Sequence, residues 1–478
     1  MYEPIQVVQE QLGRPRDRLA VALGNASFLG VGYLMLRRRG FAFLSWLITV
    51  VLLAMLVSGY PTVAFEIVVV VWWAAMIAHG WWLAGRPAPA GRAGRPRLTS
   101  VRAQRVLAAC ITVPVLVALG LLRFDAARID NAVTQAREHG SCAQAVKAID
   151  GIWLGDRLAD APLTTHDDQT SQVCGRLHAA RGTLSTGVDS GDTTALKTGF
   201  ADLGWVLANR PGHEKMVDSV LTWFLHTVPS AKPCDIASVT DWLRARKPTH
   251  NALDRAADIV PRTAPAALVG CGDDLMTSTK WTRAKARYQQ LLDQYPHDSH
   301  ADAARKGVRR ATLAIELDNV RDLLDTPTSA QPTYCSSPAR YEAAPAYRHH
   351  GTNKTLFYGN DTYSDKLPSS WDATDASDAV LVACLGAKEQ GTAVQTCPYQ
   401  YLGATRDVTF HKIAIPVKVY ELRTGKLIIK RTIQISGSSC PETLSYTTYY
   451  YDSGPPSDVY VTASKSDVRS AFDPLIAP

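Results

Sequence analysis

The sequence lacks the short motifs that identify several large classes of enzyme. It contains no phosphate-binding GxxxxGK[ST] loop, no dinucleotide-binding GxGxxG, no GxSxG nucleophile turn and no HExxH zinc motif. Its cysteines show no CxxC or CxxH spacing of the kind that structural zinc sites use. We therefore predict no catalytic residue, no metal ligand and no cofactor, and we expect a binding protein rather than an enzyme.

Acidic residues are scarce at one end of the chain. Residues 1–123 hold 4 Asp and Glu against 13 Lys and Arg, whereas the remaining residues hold 40 against 38. The net charge of +7 therefore comes from the first quarter of the sequence. Basic residues beside apolar segments are the usual signal of membrane topology, whereas a nucleic-acid site gathers them on a folded face. We expect no nucleic-acid partner.

Long apolar runs lie in this basic region, at residues 41–60, 63–84 and 106–122. About 20 apolar residues in a helix cross the ~30 Å hydrocarbon core of a bilayer, so each run is predicted to be a transmembrane helix. Residues 19–36 are also apolar, but glycines and polar residues interrupt them. This stretch is either an extra span or a re-entrant or interfacial segment, and we favour a segment that does not span.

The arginines predict the orientation of these helices. Arg37, Arg38 and Arg39 precede the first run, and six arginines without any acidic residue follow the second run. Such basic segments stay on the cytoplasmic side. Three spans from an inside N-terminus and four spans from an outside one both place everything after Arg123 outside. We predict a multi-pass protein of the cell membrane with a cytoplasmic or membrane-associated segment at residues 1–40 and a large extracytoplasmic C-terminal part.

Two ionisable residues fall within the second run, Glu66 and His79. Ionisable groups inside a membrane are often functional in transport or proton relay. Both residues, however, lie within two helical turns of a predicted membrane boundary, where they reach headgroups or water. We therefore interpret them as boundary residues rather than as a transport site.

Eight of the nine cysteines follow the last apolar run, which itself contains Cys110. An even number on an oxidising side of the membrane predicts disulfides, and eight cysteines allow 105 pairings. Pairing of sequence neighbours is our first hypothesis: Cys142 with Cys174, Cys234 with Cys271, Cys384 with Cys397, and Cys335 with Cys440.

Residues 124–325 are predicted to form a helical domain. The clearest stretch places Leu268, Cys271, Gly272, Leu275, Trp281, Ala284, Tyr288, Leu291, Leu292 and Pro296 at spacings that resemble a tetratricopeptide repeat. In that family, small residues let two antiparallel helices approach closely, and here Gly272 and Ala284 hold those positions. Weaker copies begin near Gly140 and Leu196, so the resemblance implies a degenerate repeat of three to five helical hairpins. The alternative is a generic helical domain with the same small-residue packing.

The C-terminal part is predicted to be rich in β-structure. Residues 326–375 contain little periodicity and are interpreted as a linker, and residues 376–478 as a small antiparallel β domain of five or six strands with a short C-terminal helix. Apolar residues alternate on both sides of Thr424-Gly425, which predicts a hairpin. Residues around Cys384 and Cys397 predict a second hairpin, and strands are also expected over TLSYTTYYY and DVYVT.

The tyrosines are the strongest candidates for a binding surface. Tyr446, Tyr449, Tyr450 and Tyr451 lie together, with Tyr399, Tyr401, Tyr420 and Tyr460 nearby in the sequence. Aromatic side chains bury a large area at a low cost in entropy and keep a polar tip, which suits binding. The simpler interpretation is that they pack the sheet. His166-Asp167-Asp168 and His349-His350 are interpreted as exposed loop residues rather than metal ligands.

The predicted fold class is multi-domain. In chain order, it consists of transmembrane helices, an all-α repeat-like domain and a small antiparallel β domain. The abundance of Ala, Arg, Gly, Asp and Val suits a GC-rich bacterial genome. We expect a bacterial envelope protein that is anchored in the lipid bilayer and binds a protein, peptide or envelope polymer outside the cytoplasm. An envelope enzyme with a site built from distant residues, and an accessory subunit of a transport or secretion complex, are the alternatives.

Overall fold

The computed structural model describes residues 17–58, 62–86, 101–448 and 451–478. The chain divides into two compact units, Met1–Thr263 and Ala264–Pro478. The first unit holds the apolar helices and a set of polar helices, and the second holds further helices and a sheet.

The described part of the first unit begins with five helices: α1 Arg18–Ala26, α2 Val31–Met35, α3 Arg39–Ser58, α4 Val63–Ala84 and α5 Val101–Glu138. Among the described residues, α3, α4 and α5 are long and apolar enough to cross a membrane, which confirms the three predicted apolar helices. Helix α5 is longer than its apolar run because nothing after Arg123 stops it. It continues as one helix of 38 residues, about 57 Å long at 1.5 Å per residue.

The interrupted apolar stretch at residues 19–36 is two short helices rather than one. Helix α1 has nine residues and so extends only ~13 Å, too little to cross a bilayer. The turn after it carries Phe28 and Gly30 at positive φ. Asn25 Nδ2 donates to the Met76 carbonyl oxygen on α4 over 3.0 Å, and Thr112 on α5 donates to the Leu23 carbonyl oxygen over 2.6 Å. The segment therefore packs against the two long helices.

The rest of the first unit is helical: α6 Cys142–Ile149, α7 Leu154–Ala159, α8 Ala161–Ser190, α9 Thr193–Asn209, α10 Glu214–Thr227 and α11 Pro233–Ala245, with 3-10 helices at Val228–Ser230 and Ala252–Ile259. Asp192 starts α9 by accepting from the Thr194 amide over 2.8 Å. Helices α8 and α9 pack closely because Gly199 lies against Leu184, where a Cβ atom would be 2.6 Å from Leu184 Cγ.

The second unit begins with three long helices: α12 Val260–Thr277, of which residues 264–277 belong here, α13 Trp281–Gln294 and α14 Ala301–Leu324. Tyr288 is fully buried between Gly272 and Gly307. A Cβ atom on Gly272 would lie 2.4 Å from the Tyr288 ring, so these helices touch where the sequence places its small residues. Helix α13 ends two residues before Pro296. Membership of the repeat family stays a prediction.

The sheet of the second unit has six strands: β1 Thr355–Tyr358, β2 Leu381–Leu385, β3 Glu389–Tyr401, β4 Ala404–Glu421, β5 Lys426–Ile435 and β6 Asp458–Tyr460. Two short helices accompany it, α15 Asp361–Ser364 and α16 Lys465–Ile476. The β4–β5 hairpin through Thr424-Gly425 is confirmed. The sheet is mixed rather than antiparallel throughout, because β1 runs parallel to β2 and β6 runs parallel to β4.

Two strand predictions are wrong. Strands β2 and β3 are not a hairpin, since they lie one after the other along the same side of the long strand β4. Alternation of apolar residues marks a strand but does not identify its neighbour. The described part of TLSYTTYYY, up to Thr448, forms no strand. Within it, the Tyr446 hydroxyl donates to Asp452, and DVYVT contributes only the three-residue β6.

The disulfides correct half of the pairing hypothesis. Cys142 pairs with Cys174 as predicted, with Cα atoms 5.4 Å apart, and Cys234 and Cys271 are each disulfide-bonded. Cys335, however, pairs with Cys384, and Cys397 pairs with Cys440. The prediction failed because Cys384 and Cys397 lie on strands that follow one another and therefore do not face each other. Cys110 is the free cysteine of the described residues.

Candidate binding site

A groove of about 510 Å³ lies where strand β3 ends beside residues 440–455. Its walls carry aromatic rings and proline rings around a disulfide. The lining includes Cys397, Pro398, Tyr399, Gln400, Tyr401, Cys440, Pro441, Glu442, Thr443, Leu444, Tyr446 and Pro455. Glu442 is the charged residue of this lining, so the described surface of the groove is aromatic and nearly neutral.

Alternate residues of strand β3 form one wall of the groove. Cys397, Tyr399 and Tyr401 alternate along β3 and share its more buried face, while Pro398 and Gln400 are exposed. Strand β3 is held by the tight turn at Leu402 and Gly403, both at positive φ, which leads directly into β4. The tyrosine positions are therefore fixed by a regular hairpin.

The opposite wall is irregular chain that the tyrosines themselves hold in place. The Tyr399 hydroxyl donates to the Pro441 carbonyl oxygen over 2.8 Å, and the Tyr401 hydroxyl donates to the Asp452 carbonyl oxygen over 2.7 Å. The Cys397–Cys440 disulfide joins the same two segments covalently. These links keep the two walls together without a β-ladder between them.

Asp452 gathers further hydrogen bonds on this wall. Its Oδ1 atom accepts from the Tyr446 hydroxyl over 2.8 Å and from the Gly454 amide over 3.0 Å. Loss of solvation, followed by the bond to Asp452, raises the pKa of Tyr446 to about 12. The bond to Tyr446 is the main reason that the pKa of Asp452 is lowered. Tyr446 is thus a neutral side chain that offers its ring, since its hydroxyl is already engaged.

The predicted tyrosine surface is only partly in the groove. Tyr446 lines it, whereas Tyr451 has an exposed fraction of 89% and is not part of the lining. Tyr449 and Tyr450 lie outside the described residues. Of the tyrosines nearby in sequence, Tyr399 and Tyr401 join Tyr446 in the lining. Tyr420, by contrast, is buried and donates to the Cys335 carbonyl oxygen over 3.0 Å.

The prolines of the groove were missed by the sequence reasoning, although a signal for them exists. Both cysteines of the groove are followed directly by proline, as Cys397-Pro398 and Cys440-Pro441. Once the two cysteines are bonded, both prolines must lie near each other. The two Cys-Pro dipeptides could therefore have pointed to this site.

The histidine candidates are not brought together into a site. The prediction of an exposed loop is wrong for His166, Asp167 and Asp168, because all three lie in helix α8. His166 is exposed, Asp168 forms a bidentate pair with Arg157 at 2.7 and 2.8 Å, and Asp167 is buried. His349 and His350 are exposed. No cluster of three or more His, Cys, Asp or Glu side chains that could hold a metal ion occurs within the described ranges.

The two ionisable residues of the second apolar run both have partners. Glu66, in the first turn of α4, forms an ion pair with Arg123 on α5. His79 Nδ1 lies 2.9 Å from the Tyr33 hydroxyl oxygen. Each therefore links helices of the first unit to one another.

A second cavity, of about 580 Å³, lies in the first unit beside the Cys142–Cys174 disulfide. Met216 is buried behind that disulfide, with its sulfur 3.7 Å from Cys142 Sγ. The lining is mostly apolar, with His178 and Arg181 among its residues. It lacks the ordered set of aromatic rings that the groove on β3 has.

The comparisons with known proteins add no relative. No protein-family model, curated protein or solved structure matches the chain.

Proposed function

We propose that this protein is anchored in a membrane by α3, α4 and α5 and binds a ligand outside the cytoplasm through the tyrosine-lined groove of its β domain. The observation that carries the proposal is the groove itself, in which the hydroxyls of Tyr399, Tyr401 and Tyr446 are engaged within the protein while their rings line a neutral surface. Pre-formed aromatic surfaces of this kind bind with little loss of side-chain entropy.

The groove favours an extended protein or peptide segment, or an envelope polymer, as its ligand. Tyrosine and proline rings stack against flat or extended groups, and proline-rich or carbohydrate segments present such groups with few charges. The near-neutral lining disfavours a strongly charged ligand. The protein acts in this proposal as a binding or scaffold protein and not as an enzyme.

The extracytoplasmic location rests on two supports. The arginine-rich segments at residues 37–39 and 86–105 favour the cytoplasmic side, and the disulfides suit an oxidising compartment. We also propose that the helices between residues 124 and 325 form a degenerate tetratricopeptide-like array, supported by the close packing at Gly272 and Gly199.

Cysteine labelling of intact cells tests the location. A membrane-impermeant maleimide should react with the disulfide-bonded cysteines only after an impermeant phosphine has reduced them. Cysteines that stay silent in intact cells but react after lysis without reductant would place the second unit in the cytoplasm.

Photocrosslinking tests the groove. A photoreactive residue at Thr443, exposed in the lining, is compared with one at Lys426, exposed at the β4–β5 turn. We expect a crosslinked partner from Thr443 and not from Lys426. Tyr446→Phe, which keeps the ring, should retain the crosslink, and Tyr446→Ser should lose most of it. Equal crosslinking from both positions would reject the groove.

Photocrosslinking from the apolar helices tests the alternative that the protein is an accessory subunit of a membrane complex. Only 22%, 17% and 11% of the most apolar stretches of α3, α4 and α5, respectively, is buried within the protein. The rest of each stretch is free to contact lipid or other helices. Photoreactive residues at Val50 and Val117, both exposed on these helices, would then capture a membrane protein while Thr443 captured nothing.

A further inference from the structure

Helix α7 and the residue before it have the reverse of the polarity expected for a helix in water. Asp156 is fully buried, whereas Trp153 and Leu154 have exposed fractions of 58% and 62%. A surface helix normally turns its charged residues to water and its apolar residues to the core. Contiguous exposed apolar residues are typical of surfaces that contact a membrane or another protein.

Specific contacts fix this orientation. Asp156 Oδ2 accepts from the Trp153 amide over 3.1 Å, which ties the start of the helix. Arg157 forms the bidentate pair with Asp168 on α8, so that its charge also faces the protein. The Trp153 ring lies over Gly155, where a Cβ atom would be 2.5 Å from the ring. The outward position of Trp153 and Leu154 is therefore built into the fold.

The C-terminal end of α7 is bonded to the residue at which the apolar run of α5 ends. Arg123 Nε donates to the Ala159 carbonyl oxygen over 3.0 Å, and the same guanidinium pairs with Glu66 in the first turn of α4. Arg123 is also the residue at which the apolar run of α5 ends. Helix α7 thus lies at the level where α4 begins and the apolar part of α5 stops.

Further exposed apolar residues occur at that level. Phe124 has an exposed fraction of 70% and Leu121 one of 64%, both on α5 beside Arg123. Tryptophan and other apolar side chains concentrate at the boundary between headgroups and acyl chains, where an amphipathic helix can lie in the membrane plane. Arg157 pairs with Asp168, and the Ala159 carbonyl oxygen accepts from Arg123, whereas Asp156 Oδ1 is buried without a hydrogen-bond partner.

We propose that α7 is an interfacial anchor, in which Trp153, Leu154 and Phe124 insert into the outer headgroup boundary of the bilayer that holds α3, α4 and α5. This inference rests on the proposed membrane insertion of those helices. The occupant of the surface is lipid, because the surface continues directly from the apolar helices. The anchor would fix the height and tilt of the first unit above the membrane.

Spin-label accessibility in lipid nanodiscs tests the anchor with the full chain. Cys110→Ser removes the free cysteine, and the remaining eight are disulfide-bonded. A nitroxide is then attached at Leu154→Cys or Phe124→Cys, and its collision rates with lipid-soluble oxygen and with a water-soluble nickel chelate are compared. Lys147→Cys on α6 is the water-exposed control, and Val117→Cys on α5 is the control within the bilayer.

We expect the ratio of oxygen to nickel collisions at residues 154 and 124 to be several-fold higher than at residue 147. A ratio at residue 154 equal to that at residue 147, with residue 117 still lipid-exposed, would overturn the anchor and leave the membrane insertion intact. Protection of residue 154 from both reagents would also overturn it, since a protein would then cover the surface. Nickel access at residue 117 as well would reject the membrane insertion itself.

Discussion

His411 holds two acceptors at once: its Nε2 atom lies 2.7 Å from Asp458 Oδ1 on β6, and its Nδ1 atom lies 3.0 Å from the Gly391 carbonyl oxygen on β3. Neither acceptor can donate, so both ring nitrogens must carry protons for both bonds to form. The bond to Asp458 is the main cause of a raised pKa of His411. The charged imidazole therefore links three neighbouring strands.

This link makes the stability of the sheet depend on pH. Because the pKa of His411 is higher in the folded state than its ordinary value of 6.5, its stabilisation is complete below that value and is lost as pH rises through the folded pKa. We expect the Tm to fall between pH 5.5 and pH 8.5, and to fall less in His411→Gln. Asp458, whose pKa is lowered, stays ionised over that window and does not contribute to the difference. An unchanged pH dependence in His411→Gln would contradict the link.

Asp167 gives a second pH dependence, in the first unit. Burial, followed by the charges of Asp130 and Asp168, raises the pKa of Asp167 to about 7, and its Oδ1 atom has no hydrogen-bond partner. The folded protein therefore binds this proton more tightly than the unfolded chain, and stability falls as pH rises from about 4 through 7. Asp167→Asn should raise the Tm at pH 8 more than at pH 5. A lower Tm for the variant at pH 8 would show that the carboxylate is needed.

The packing around Tyr288 predicts intolerance to a single methyl group. Gly272→Ala or Gly307→Ala would bring a Cβ atom within 2.4 or 2.6 Å of a buried ring whose hydroxyl is bonded to Asp273. We expect each change to lower the free energy of unfolding by about 1–3 kcal/mol. Gly182→Ala on α8, where no atom lies within 4 Å of the new methyl group, is the matched control.

The control should be neutral or stabilising by up to about 1 kcal/mol, because alanine has the higher helix propensity. Chemical denaturation of the full chain, followed by hydrogen exchange of α13, measures both effects. Equal effects of the variants and the control would mean that Tyr288 adjusts freely.

The Cys397–Cys440 disulfide should matter for both stability and binding. Its cysteines are 43 residues apart in sequence, and bridges over such loops typically stabilise by about 2–5 kcal/mol. The Cys397→Ser, Cys440→Ser double variant should unfold at a lower denaturant concentration and lose the crosslink from Thr443. The Cys142→Ser, Cys174→Ser double variant, in the first unit, should keep that crosslink. Retention of the crosslink in both double variants would show that ligand binding in the groove does not require the Cys397–Cys440 disulfide.

The parts of the fold that depend on local sequence were predictable. The apolar runs predicted α3 and α4 nearly to their ends, and the alternation around Thr424-Gly425 predicted the β4–β5 hairpin. Length, periodicity and turn residues are properties of a single segment. The pairing of β2 and β3 was not predictable in this way, because their shared neighbour β4 is chosen by contacts between distant segments.

The candidate site, like the fold, was predictable only where it depends on local sequence. Tyr446 was identified from composition, but its groove consists of two segments that a disulfide joins, and sequence reasoning chose other partners for Cys397 and Cys440. Pro398 and Pro441 were therefore not placed beside it. The pairing of cysteines depends on which strands face each other, so an error in strand order became an error in the site.

The uninterrupted length of α5 has a mechanical consequence. Fifteen residues of this helix follow Arg123, which corresponds to about 22 Å of rigid rod beyond the end of its apolar run. A change of about 10° in the tilt of the rod would shift its far end sideways by ~4 Å. In the proposed membrane anchoring, helix α5 would therefore act as a lever arm, through which a change in bilayer thickness or in a neighbouring helix displaces the packed helices that follow it.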